Sequence, residues 1–420
     1  MIRNITTNIL TNMNTLIKTL CCSLLLLSNT TVAAADFTGR FSMLGTTAKA
    51  TQGDIGYINK DNSLSADQQS LRMMADESRE QGEWSVHIKM TRLHLTDIPL
   101  DDSHSSDLFR YKPLSSYWLE ENDPDNTSRF GYEIDRLVYK QRFRNSTLAM
   151  GRQSIDWGSG RFWQPLNVFG SFAPTDLDTD YKPGIDAVKF DWFPTDLSSL
   201  TAVYTFTPAD NTLVDNHTNA AVHYRRQAGE QGELAVVAAG IMGNTVLAAS
   251  YESAWGGMGW RLEAADYKVK TANDFVFWIA GLNYQFNNGA LFNMEWYHNS
   301  RGASNINALT ISNILTDPFI KYGLQQQLSR NVLAIALNKD LSPLWNGSYT
   351  LLTSRLKDSN GKLHTSLLHQ LNLTYSVSNE SDLLFSLQKA TGRGLNSLAQ
   401  PQSEFGHSPA SVTLRLRFYF

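Results

Sequence analysis

From Phe37 onward the chain consists of short segments in which apolar and polar residues alternate, separated by connectors that are short and long in turn. Period-two alternation places successive side chains on opposite faces of an extended strand. The clearest case is the last. Val412, Leu414, Leu416, Phe418 and Phe420 share one face, while Thr413, Arg415, Arg417 and Tyr419 share the other. About 18 such segments can be traced: 37–50, 70–78, 84–95, 130–143, 146–157, 185–193, 200–207, 220–227, 234–242, 246–255, 260–269, 275–286, 291–299, 330–341, 348–356, 367–377, 383–391 and 410–420. A count of about 16 is the alternative, since boundaries read from pattern drift by a few residues. Asn287-Asn288-Gly289 between two of the segments is a hairpin signal.

Strands with one apolar and one polar face fit a barrel whose outside meets lipid and whose inside is wet. The expected fold is all-β: a single transmembrane, antiparallel, up-and-down β-barrel spanning residues 36–420, with no second domain. An even strand count puts both termini on one rim, which then carries the short connectors, with most of the long ones opposite. Phase assigns faces. Trp84, Val86, Ile88 and Met90 go to lipid, as do Leu137, Tyr139 and Phe143; Val188, Phe190 and Trp192; Leu200, Ala202, Tyr204 and Phe206; and Phe292, Met294 and Trp296. Leu333, Ile335 and Leu337, and Leu383, Phe385 and Leu387, behave likewise. The matching inward set is rich in cations: Arg40, Arg72, Lys89, Arg136, Lys140, Arg142, Arg152 and Lys189, joined at closure by Arg415 and Arg417. The inward acids read beside them are Asp76, Asp156 and Asp191. A wall of one sign would favour anions in a narrow pore. The plainer reading is that barrel interiors need charged, hydrogen-bonded side chains anyway, neutralised by acidic loops. A phase slip of one residue moves a whole set to the other face.

The N-terminus changes the setting. Lys18 precedes an apolar stretch, 19–27, and Ala33-Ala34-Ala35 stands before Asp36. A basic start, a short apolar run and small residues at a cut site predict a cleaved signal peptide over 1–35, with Met13 as an alternative start. Cys21 and Cys22 fall inside it, so the mature chain has no thiol chemistry. The net charge of -4 gives no basis for nucleic-acid binding by bulk attraction. No phosphate-binding loop, dinucleotide fingerprint or metal-ligand spacing is present, and no cofactor or metal is expected.

The connector at 158–183 is rich in aromatics, prolines and acids, including Arg161, Trp163, Asp176 and Asp178. That composition predicts an ordered loop folded inward after the fifth strand as a constriction. Asp176, Asp178 and Asp180 alternate as divalent-cation ligands do, but the Gly and distal Glu of a calcium loop are missing. An acidic loop facing divalent-rich lipopolysaccharide accounts for them. The run Gly151-Arg152-Gln153, Trp157-Gly158, Pro165, Asn167, Pro174-Thr175-Asp176, Pro183-Gly184 resembles one found in Gram-negative outer-membrane porin-like and export-channel families, among them the alginate-export channels. The resemblance implies a barrel of about 18 strands with a basic pore, Arg152 as a pore-lining residue and Arg161 as a weaker candidate. After Gln153 the sequence departs from the alginate channels, which leaves the solute open. The final strand resembles the one by which barrel proteins are recognised for assembly, with Phe418 and Phe420 as the signal.

Two other classes compete. His298 and Ser300 share a strand face, as in the His-x-Ser element of outer-membrane phospholipase A, with Asn305 as a third member. Arg301-Gly302 follows where that family has Asn-Gly, and a strand end entering a polar loop explains the pair equally. An adhesin or scaffold rests on long loops such as 101–127. The expectation is a non-enzymatic, porin-like channel of the Gram-negative outer membrane for small or polymeric, anionic solutes, passive or linked to export. Its expected partners are outer-membrane lipid and lipopolysaccharide, the barrel assembly machinery and an export or polysaccharide system.

Overall fold

A computed structural model of the chain describes residues 35–57, 62–96, 105–111, 115–118, 127–208, 213–214, 218–270, 272–309 and 317–420. The expected signal peptide, up to residue 34 and including both cysteines, and most of the 97–126 connector lie outside the described residues. The first strands are β1 (Asp36–Ala50), β2 (Asn62–Ser78), β3 (Gly82–Leu95), a short β4 (Ser115–Trp118), β5 (Ser128–Arg142), β6 (Ser146–Gln153) and β7 (Ile185–Thr195). Then come β8 (Ser198–Phe206), β9 (Thr218–Gln227), β10 (Glu233–Ile241), β11 (Asn244–Trp255), β12 (Met258–Lys268) and β13 (Phe275–Gln285). The rest are β14 (Leu291–Asn299), β15 (Asn331–Ser342), β16 (Trp345–Lys357), β17 (Leu363–Ser378), β18 (Ser381–Thr391) and β19 (Ala410–Tyr419).

All strands but β4 form a closed antiparallel barrel of 18 staves. Each pairs with its neighbours in sequence, and β19 pairs with β1 from Arg40↔Tyr419 to Lys49↔Ala410, so no edge is left open. Every segment traced in the sequence corresponds to one stave. Turns at 79–81, 143–145, 196–197, 256–257, 343–344 and 379–380 share one rim with both ends of the barrel, and the connectors 154–184, 300–330 and 392–409 lie at the other. The large exposed apolar side chains follow the outward phase, among them Trp84, Ile88, Leu137, Phe190, Trp192, Trp296, Leu383 and Phe418.

Three departures from simple alternation shape the interior. β2 starts at Asn62 rather than near residue 70, because its polar upper half pairs with β1 as far as Ala50↔Asn62. β6 stops at Gln153 rather than running to Trp157. Ile155 and Trp157, read from sequence as strand residues, are only 4% and 7% exposed and belong to an internal cluster with Leu166, Val168 and Phe169. The short β6 leaves the upper edge of β5 unpaired, and β4 covers it through Ser115↔Tyr132 to Trp118↔Arg129. The third departure is a β-bulge. His87 pairs with Arg136 and Ile88 with Ile134, so Asp135 is an extra residue that flips the phase above it. Tyr132 and Ile134 therefore face outward at 51% and 45% exposure, and Asp135 is buried at 1%.

The chain end locks into this frame. Gly39 N–H donates to the Phe420 carbonyl at 2.6 Å, and Phe420 N–H donates to the Gly39 carbonyl at 3.0 Å. A Cβ on residue 39 would lie 2.3 Å from the Phe420 ring, so only glycine leaves room for it. Gly39→Val is expected to displace the ring and weaken barrel closure by about 1–3 kcal/mol, the usual cost of overpacking. The check is the fraction of folded, heat-modifiable barrel on a gel run without boiling, and an unchanged fraction would count against the contact.

Candidate functional site

The connector 154–184 enters the lumen and must find partners for its backbone there, because buried N–H and C=O groups left unpaired are costly. Two wall carboxylates supply them. Glu263 of β12 accepts from the backbone N–H of Ser159, of Gly160 at 2.9 Å and of Leu166 at 3.3 Å, and from the Ser159 hydroxyl at 2.9 Å. Glu295 of β14 accepts from the N–H groups of Arg161 at 2.9 Å, Phe162 at 3.1 Å and Trp163 at 2.9 Å. Charge-assisted bonds of this kind are roughly twice as strong as neutral ones. The turn closes on itself so tightly that a Cβ on Gly160 would lie 1.7 Å from the Trp163 carbonyl oxygen. Trp163 is fully buried, with its ring 5.0 Å from that of Tyr297.

Past this anchor the loop follows the wall. Gln370 of β17 donates to the Thr175 carbonyl at 3.1 Å, and Arg415 of β19 donates to the Leu177 carbonyl. Arg40 of β1 binds Asp178 and Asp180, both at 2.7 Å. Asp180 also accepts from Arg417 at 2.6 Å and from the Tyr419 hydroxyl. The Tyr181 ring lies 5.1 Å from the Arg40 guanidinium and 4.4 Å from that of Arg72, a cation–π arrangement. Arg136 donates to the Lys182 carbonyl, and Gly184 N–H donates to Asp135 at 3.2 Å. The loop thus touches β12, β14, β17, β19, β1, β2 and β5 before rejoining the wall at β7. The expected inward loop is present.

Each cation of the expected inward strand set has a carboxylate within 4 Å. Arg72 and Arg136 meet Asp135 at 2.6 and 3.0 Å, and Arg110 joins them at 3.2 Å. Lys89 is 3.8 Å from Glu133, which also pairs with Arg110. Lys140 and Arg142 share Glu83 near the short-turn rim, at 2.7 and 2.8 Å. Lys189 meets Asp191 at 2.9 Å, while Arg415 and Arg417 meet Asp382 at 3.2 and 2.8 Å. Arg152, expected in the lumen, shares a strand face with exposed Met150, registers with outward Leu137 and pairs with Asp186 at 2.7 Å. β6 ends at Gln153 and its phase is set by pairing with β5, which puts Arg152 opposite Leu137 on the outward face. Glu83, Glu133, Asp135, Asp186 and Asp382 are the carboxylates that sequence reading did not pair with this wall.

The opposite sector is apolar. Ala221, Ala235, Val237, Ala239, Ala248 and Ala265 point inward and pack against Leu166, Val168, Phe169 and, from the earlier connector, Leu108 and Phe109. Small wall residues make room for the loop's apolar side. Between its charged side and the cationic wall lies a cavity of about 490 Å³, lined in part by Arg40, Arg72, Lys89, Asp176, Asp178 and Lys182. A second cavity of about 670 Å³ opens on the short-turn side of the loop, with Arg161, Arg225, Arg261, Glu233 and Glu252 in its wall. At the other rim, Glu404 of the last connector accepts from the N–H groups of Leu328 and Ser329 and fastens the 300–330 connector, and burial pushes its carboxyl above the usual range.

The alternative constellation does not assemble. Ser300 Oγ accepts from Val276 N–H at 2.9 Å, His298 Nδ1 is 2.8 Å from Asn331 Oδ1, and Asn305 caps the turn at Ala308. His298 stacks on Trp278, with ring centroids 5.1 Å apart. Among the described residues no cluster suited to a metal ion occurs. Asp178 and Asp180 of the acidic loop are instead engaged by arginines.

No protein-family model and no curated protein matches the chain in sequence. Its fold, however, is that of known barrels. OccAB4 of Acinetobacter baumannii superposes with a TM-score of 0.58 at 10% identity, covering 92% of this chain and 99% of that one. OccK8 (OprE) of Pseudomonas aeruginosa gives 0.56 at 8% identity over 92% and 99%. The Pseudomonas aeruginosa outer membrane protein OpdK gives 0.52 at 10% identity, again over 92% and 99%. The likeness is one of fold.

If Glu263 and Glu295 hold the loop, Glu263→Ala with Glu295→Ala orphans its buried N–H groups, each worth about 1–3 kcal/mol. The barrel should survive while the loop loosens, seen as new protease cleavage between 154 and 184. A loop that stays protected would refute the latch.

Proposed function

We propose that the protein is a channel of the Gram-negative outer membrane through which small anionic solutes diffuse. The observation that carries this is the cavity between the wall of β1–β3 and the latched loop, where Arg40, Arg72, Lys89 and Lys182 face Asp176 and Asp178. Four cations and two carboxylates face the cavity, while the other partners of those cations, Asp180, Asp135, Glu133 and Asp156, stand outside its lining, so the surface a solute meets shows more cations than acids. Each of these cations is paired, so selectivity arises from which side chains line the cavity rather than from an unbroken basic arc.

The membrane setting follows from the outward apolar side chains of a closed barrel and from the N-terminal segment read as an export signal. The fold neighbours support the same setting, OpdK being an outer membrane protein. A lumen subdivided by a latched loop suits small solutes passing singly better than a polymer strand. Barrel assembly through the Phe418 and Phe420 end belongs to the same reading. No observation favours hydrolysis.

Planar-bilayer recordings of the purified barrel in a salt gradient test both pore and sign. Ohmic channels whose reversal potential marks anion preference are expected; cation preference would sink the anionic assignment, and absence of conductance the channel itself. Asp178→Asn should raise the anion-to-cation permeability ratio and Lys89→Glu should lower it, each by about two- to fivefold, the scale of one partly screened charge at a constriction.

A further inference from the structure

The outer wall carries a groove that the channel does not use. It lies toward the long-connector rim across β16–β19 and β1, and holds about 440 Å³. Two cross-strand rows build it. In the lower row Leu371 pairs with Leu387, Leu387 with Val412, and Val412 with Thr47. In the row above, nearer the rim, His369 pairs with Lys389 and Ala410 with Lys49. Lys389 stands one residue beyond the Gln388↔Ser411 pair, level with Ala410. A single methyl group therefore separates the two lysines, whose strands are second neighbours about 10 Å apart. Their long stems can converge over Ala410 while lying on apolar surface. On the far side, the Tyr349 hydroxyl is 2.7 Å from His369 Nδ1, which places polar groups beside the ammonium row. Below Thr47 the floor continues past Gly45, where a Cβ would meet nothing within 4 Å.

Two cations above an apolar trough complement a ligand with a phosphate at one end and an acyl chain at the other. We propose that this groove binds the lipid A portion of lipopolysaccharide, its phosphate between Lys49 and Lys389 and one acyl chain along Leu371, Leu387 and Val412. This assignment rests on the outer-membrane reading, in which the long-connector rim faces the outer leaflet. The polar Tyr349–His369 pair stands where a sugar hydroxyl would lie, which favours a glycolipid over a glycerophospholipid.

The full chain, purified in detergent, is titrated with bisphosphorylated lipid A, dephosphorylated lipid A and phosphatidylglycerol, and bound lipid is counted by native mass spectrometry. Wild type should retain bisphosphorylated lipid A best. Lys49→Gln with Lys389→Gln should weaken that retention about tenfold, on the scale of two surface lysine–phosphate contacts, whereas the double Lys→Arg variant keeps it. Equal retention by wild type and the double Gln variant overturns the proposal. So does equal retention of dephosphorylated lipid A, or of phosphatidylglycerol, which would make the groove a site for bulk lipid. Heat-modifiable mobility shows that each variant is folded, and its bilayer conductance should match wild type. Fractionation of cells reports location separately: recovery of the wild type outside the outer membrane would refute that setting whatever the lipid titration gives.

Discussion

A polypeptide segment that crosses a barrel lumen brings backbone donors into a space whose walls have few backbone acceptors to spare, since the strand carbonyls are mostly used in the ladder. The protein meets this constraint with Glu263 and Glu295, two buried carboxylates that collect the N–H groups of Ser159, Gly160, Arg161, Phe162, Trp163 and Leu166. The rest of the interior follows from that anchorage. Once the turn is fixed, its apolar side needs a cover, which the small inward residues of β9–β12 provide. Its acidic side then lies within reach of Arg40, Arg415 and Arg417.

Charge in this interior is organised by pairing. Arginines buried in a wall are tolerable only with partners, because an uncompensated buried charge costs several kcal/mol. Asp135 shows how far this goes: it is buried at 1% and receives Arg72, Arg110 and Arg136 together. Even the four cations that line the cavity have carboxylate partners, most of which stand outside its lining. The distinction between a basic wall and a paired wall matters, because an unpaired wall would act on ions along its whole length, whereas a paired one acts only where its cations, and not their partners, face the lumen.

The strand count, the alternation of connectors and the inward loop were legible because they depend on period two and on gross composition, which survive small errors of boundary. The site was legible only in part. One extra residue at Asp135 reverses the phase of upper β5, so Glu133 and Asp135, which alternation sends to lipid, become the partners of the cations. After β6, Ile155 and Trp157 carry the apolar mark of a strand but use it in the loop core, and the pairing of β6 with β5 puts Arg152 on the outward face. Glu295 did leave a signal, as the one Asp, Glu, Lys or Arg of β14 and in its inward phase, whereas Glu263 stands among three other charges of β12; the role of both depends on contacts more than 90 residues away, up to 134 in the bond to Arg161.

The seam of β18, β19 and β1 shows why the terminal strand could not be read for one purpose. Its last residue reaches Gly39 and seals the barrel, which fixes the register Ser42↔Arg417 and Leu44↔Arg415. That register alone sets Arg417 beside Arg40, so that both grip Asp180, and holds Arg415 under the Leu177 carbonyl. The same register, carried ten residues up the strand, brings Ala410 level with Lys49 on the outside. Closure, loop position and the shape of the outer wall are therefore one geometric decision. A slip of one residue at this seam would turn Arg415 and Arg417 toward lipid and the apolar set of Leu414 and Leu416 into the lumen, removing the loop's acidic anchor together with the barrel's apolar face.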